Sequence, residues 1–62
     1  MALKRTPDNS RARLLAAGKS LFARLGYEFT STATIARDAG TSESQLIRYF
    51  GSKAGLLETI FE

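Results

Sequence analysis

The stretch that most narrows the fold is STATIARDAGTSESQLIRYF, residues 31–50. It holds two helical segments too short to persist alone, divided at Gly40. Thr30, Ser31 and Thr32 each offer an oxygen to the free N–H groups of a helix start. Ser31 is the expected cap and Thr30 the alternative. Ile35, Ala36 and Ala39 then carry about two turns of helix to the glycine.

Ser42 opens the second segment. Gln45 stands three residues on, so S-x-x-Q reads as a capping box, and Glu43 falls where the helix dipole favours a carboxylate. Leu46 and Phe50 are an i, i+4 apolar pair that should face inward. Glu43, Ser44, Gln45, Ile47, Arg48 and Tyr49 are left to face outward or sideways. Small Ala36, turn-forming Gly40 and aliphatic Leu46 keep the spacing of a helix-turn-helix, which lays its second helix in the major groove of duplex DNA.

The flanks look like scaffold. Thr6-Pro7 is a helix-start signal, with Asp8 or Ser10 as alternative caps. Leu14, Gly18, Leu21, Phe22 and Leu25 follow at i, i+4, i+7, i+8 and i+11, one face of a helix. Leu15 and Ala17 widen that face, while Arg11, Arg13, Lys19 and Arg24 fall mostly elsewhere. Gly18 costs about 1 kcal/mol relative to alanine inside a helix, so its place on the apolar face points to another helix approaching closely. Gly26 is the expected left-handed cap, and Tyr27 and Phe29 are expected to fill the core edge. Ser52 can cap a last helix carrying Leu56, Leu57, Ile60 and Phe61 at helical spacing from Lys53. That helix has no stop signal and is expected to continue. The whole predicts an all-α fold, a three-helix bundle of homeodomain-like shape with the start of a fourth helix. The arm spans residues 1–7 and the domain 8–62; the helices fall at about 8–25, 32–39 and 43–49, and from 53.

Composition removes most other classes. The chain has 62 residues, enough for one domain and marginal for a core. Without cysteine there is no disulfide or thiolate metal site, and without histidine the commonest general base and metal ligand are gone. Six acidic residues show no catalytic pairing, so neither an enzyme nor a cofactor is expected. The net charge of +3 suits an anionic partner. Lys4 and Arg5 make the opening a basic arm, solvated or touching phosphate. MALKR is too short and polar for a signal peptide. No apolar run nears the roughly 20 residues of a membrane span, so a cytoplasmic location is expected.

In order and spacing, the chain from about Arg11 to Leu57 resembles the DNA-binding domain of the TetR family of bacterial transcription regulators. The resemblance rests on Arg11 with Leu14-Leu15, Leu21-Phe22, Gly26-Tyr27, the Thr30/Ser31 cap, Ile35-Ala36, Ala39-Gly40, Ser42, Leu46, Phe50, Ser52-Lys53 and Leu56-Leu57. It implies a reading head for operator DNA. It also implies a larger carboxy-terminal domain outside this chain that forms a homodimer and binds a small-molecule effector, mostly to release repression. The chain departs from the family pattern at Ile47, where a phosphate-contacting tyrosine is usual, at Tyr49, where histidine is frequent, and at Thr41 and Gly18.

Under that resemblance, Ser31, Thr32, Tyr49 and Lys53 are the expected phosphate contacts. Lys53 joins its charge to the N–H groups of a helix start. Base reading falls to Glu43, Ser44, Gln45 and Arg48. Gln45 suits adenine, Arg48 guanine, and Glu43 the amine of cytosine. Each has a plainer alternative: Lys53 a free surface lysine, Tyr49 a core-edge ring, Glu43 a helix-start carboxylate, Gln45 a capping side chain. The competing reading of the whole is a small helical protein-interaction module.

Overall fold

The computed structural model describes residues 9–61, and all of its regular structure is helical: α1 (Ser10–Leu25), α2 (Thr32–Ala39), α3 (Glu43–Phe50) and α4 (Lys53–Ile60). Helix α1 packs on each of the other three, while α2 meets α3 and α3 meets α4. One core forms where they converge. Leu14 and Leu21 of α1, Ile35 and Ala39 of α2, Leu46 of α3 and Leu56 of α4 belong to a single buried cluster. Leu14, Ile35, Leu46 and Leu56 have no exposed surface. Each such side chain gains roughly 1.5–3 kcal/mol on leaving water.

Three of the helices have eight residues, and each starts on the same device. Ser31 accepts a hydrogen bond from the Thr34 N–H at 3.1 Å, Ser42 from Gln45 at 3.2 Å and Ser52 from Gly55 at 3.0 Å. Each bond satisfies one N–H that a helix start leaves free, worth about 1 kcal/mol. Helix α2 ends on Gly40, left-handed at φ 76° and ψ 32°. Its N–H reaches the Arg37 carbonyl at 3.1 Å, and the Thr41 N–H reaches Ala36 at 2.9 Å. That bond pair closes a helix and turns the chain toward α3.

Several expectations change. Helix α1 starts at Ser10, which is helical rather than capping, behind an Asn9 that makes no side-chain cap bond. Thr6, Pro7, Asp8 and the basic arm lie outside the described residues. Gly26 has φ 92° but ψ 150°, so it is not a left-handed helical cap. Thr30 is not a cap either. It is 1% exposed, and its hydroxyl donates to the Gly26 carbonyl at 2.7 Å, with the Leu21 carbonyl 3.3 Å away. It ties the α1–α2 connection to the end of α1, whose last carbonyls lack helical partners. Phe29 is 84% exposed, not a plug, while Tyr27 does pack, 5.3 Å from Phe22 between ring centroids. Leu25 and Phe61 continue the apolar period yet are exposed, Leu25 as the last residue of α1 and Phe61 as the residue after α4.

Helix α4 is set by two close approaches. A Cβ at Gly18 would lie 2.8 Å from Leu56 Cδ2, which shows that α4 lies close on α1 there. A Cβ at Gly55 would fall inside the Phe50 carbonyl, so the start of α4 sits against the backbone at the end of α3. The two glycines therefore respond differently to substitution. Both would gain about 1 kcal/mol of helix propensity as alanine. Gly18→Ala meets only side chains, Leu56 Cδ2 at 2.8 Å and Cγ at 3.3 Å, so a small shift of the buried leucine offsets the propensity gain and stability in chemical denaturation should stay within about 1 kcal/mol of the parent. Gly55→Ala meets backbone and should be destabilised by about 1–3 kcal/mol. A Gly55→Ala protein as stable as the parent would show that this approach does not position α4.

Candidate nucleic-acid interface

Helix α3 buries only Leu46 completely. Positions 43, 44, 47 and 48 stay exposed, and Glu43, Ser44, Ile47 and Arg48 line one open depression on the surface. These are i, i+1, i+4 and i+5, one stripe of a helix opposite Leu46. Gln45 and Tyr49, themselves i and i+4, fall on a half-buried flank. The structure thus brings three of the four expected base readers onto one face with Ile47 among them, and sets Gln45 aside. Only the serine half of the capping box is formed: Ser42 accepts from the Gln45 N–H, and the Gln45 side chain makes no return bond among the described residues.

Tyr49 packs against the core, its ring 6.1 Å from that of Phe50 between centroids. Arg11 of α1 lies over the opposite partner of that pair, its guanidinium carbon 5.5 Å from the Phe50 centroid. Arg13 donates from Nε to the Ala39 carbonyl at 2.8 Å, placing a cation on the negative end of α2. In the sequence both arginines are placed only as falling mostly off the apolar face of α1. Their partners lie 39 and 26 positions away, and no local pattern signals such bonds.

The amino ends of α2 and α3 meet. Thr32 Oγ1 donates to Glu43 Oε2 at 2.5 Å. Threonine has one hydroxyl proton, so a phosphate contact at Thr32 falls to its backbone N–H while this bond stands. Ser31 shares a 2.9 Å hydrogen bond with the Thr34 hydroxyl besides capping α2.

Lys53, the first residue of α4, is not a free surface lysine. Nζ donates to the Tyr27 carbonyl at 2.7 Å and stands 4.2 Å from the centroid of the same residue's ring. A cation over an aromatic face is worth about 0.5–1 kcal/mol where water still reaches it. An ammonium carries three N–H donors, so one bond to Tyr27 leaves others for an outside acceptor.

Comparison with known proteins agrees with this geometry. A family model described as "Bacterial regulatory proteins, tetR family" matches residues 14–60. Among curated proteins, the HTH-type transcriptional regulator BetI of Vibrio atlanticus (strain LGP32) is 38% identical over 52 residues. That match covers 84% of this chain and 26% of the relative, so the chain spans about a quarter of that protein's length. No solved structure matches the chain. The four helices, the turn at Gly40 and the match over residues 14–60 lead to one conclusion: the chain belongs to the tetR family of bacterial regulatory proteins and carries its helix-turn-helix domain.

Proposed function

We propose that this chain is the DNA-reading head of a transcription regulator, with α3 lying in the major groove of an operator duplex. One observation carries the reading: an eight-residue helix is mounted by Leu46 and the Ser42 cap while Glu43, Ser44, Ile47 and Arg48 stay open to solvent. A helix that needs only one face for the core has the other for base edges. Arg48 pairs with guanine in bidentate fashion, Glu43 accepts from cytosine, and Ser44 serves either base; Gln45 takes an adjacent adenine from the flank. Ile47 meets sugar or a thymine methyl.

Backbone contacts hold the register. They come from Ser31 and the Thr32 N–H at the start of α2, from Tyr49, and from Lys53 at the start of α4. In the whole protein, the head works as one of a homodimeric pair, in the cytoplasm, as a repressor released when a small-molecule effector binds a carboxy-terminal domain. The family membership and the resemblance support this wider reading. Two heads would then read half-sites about one helical turn apart, or a multiple of it.

Salt separates this reading from a protein-interaction surface. Duplex affinity of the full-length protein should fall steeply as salt rises, because several neutralised phosphates release counterions; no duplex binding at low salt sinks the proposal. Lys53→Ala should weaken binding about equally on all duplexes and reduce the slope of log affinity against log salt by about one. It should also loosen the α1–α2 connection, seen as a lower unfolding midpoint. Arg48→Ala should cost about 1–3 kcal/mol and relax preference at one base pair. An unchanged preference profile would remove Arg48 from the base readers.

A further inference from the structure

We infer that Thr32 is a specificity-positioning residue: its hydroxyl holds the Glu43 carboxylate in the orientation that selects one base pair. The inference rests on the reading of α3 as the groove helix and goes beyond it, because Thr32 lies on the other helix of the motif. Three observations and one general rule of hydrogen bonding carry it. Thr32 and Glu43 are the first residues of α2 and α3, 11 positions apart, joined by a 2.5 Å hydrogen bond. A carboxylate is an acceptor only, so the hydroxyl must be the donor, and a bond to an ionised acceptor is of the strong kind. Glu43 takes no second partner among the described residues, so Oε1 and the remaining lone pair of Oε2 are open to a donor outside. Glu43 also lines the same open depression as Ser44, Ile47 and Arg48.

The chemistry follows. An exposed glutamate samples several rotamers and discriminates poorly, because orienting it on contact costs entropy. One oxygen pinned by Thr32 leaves the other fixed at the leading edge of the recognition helix. The groove groups that satisfy a fixed acceptor are the exocyclic amines of cytosine and adenine; guanine O6 and N7 and thymine O4 are acceptors and are repelled. Thr32 thus sets a preference for an amine-bearing base without touching it. The bond also consumes the proton a phosphate would require, which separates this role from that of a backbone anchor.

The test is binding selection and salt titration on the full-length protein with Thr32→Val and Thr32→Ser. Valine keeps the shape and the backbone N–H but loses the donor. The expected result is a preference at one base pair weakened roughly three- to tenfold, with an unchanged salt slope. Thr32→Ser should restore it, and Thr32→Val should add nothing to the preference profile of Glu43→Ala. Three results overturn the inference. Thr32→Val weakening binding equally on all duplexes with a slope reduced by about one would make the hydroxyl a phosphate contact. A lower unfolding midpoint with unaltered preference would make the bond a plain staple between helices. An equal effect in the Glu43→Ala background would show that Thr32 does not act through Glu43. Parent protein without salt-dependent duplex binding would instead overturn the reading beneath it.

Discussion

Leu46 has no exposed surface, and it is the only completely buried side chain of α3. An eight-residue helix does not persist in water by itself. Its order therefore depends on this leucine entering the space among Leu14, Ile35 and Leu56, the fully buried side chains of the other three helices. The arrangement is economical in area: Leu46 does the anchoring with Tyr49 and Phe50 packed against the core beside it, and the exposed stripe needs no apolar residue for stability. It also makes the exposed helix sensitive to all three neighbours at once.

What one leucine cannot supply is direction, and polar and steric constraints supply it. The Ser42 cap fixes where α3 begins, and Gly40 fixes the angle at which it leaves α2. The Phe50 carbonyl resting on Gly55 fixes where α4 takes over. Arg13 binds the end of α2 through Ala39, and Thr30 binds the connection before it. Helix α1 thus acts as a rail on which the other three are registered, by apolar contact along one stripe and by side-chain bonds to backbone carbonyls at its ends.

Much of this was legible in the residues. The all-helical class, the three serine caps, the turn at Gly40, the inward Leu46 and the close approach at Gly18 follow from period and cap chemistry, which are local. The rest failed where a contact links positions without periodic relation. Thr30 looked like one more cap in a row of three, but burial and two nearby carbonyls claimed its hydroxyl. Phe29 is expected with Tyr27 at the core edge, yet it stands exposed in the turn after Gly26. Lys53 with Tyr27, Arg13 with Ala39 and Thr32 with Glu43 span 26, 26 and 11 positions. Gly55 gave no sign, since what it accommodates is a carbonyl beyond its own helix.

Lys53 has one further consequence, in conformational entropy. With Nζ on the Tyr27 carbonyl and the ring beneath it, the charged end of the side chain is held by contacts within the domain. A free lysine gives up about 1.5–2 kcal/mol of rotamer freedom when immobilised. Here that loss is incurred during folding and offset by contacts within the domain. An anion that takes one of the remaining N–H donors meets a charge already in place, and loses little further freedom by keeping it there.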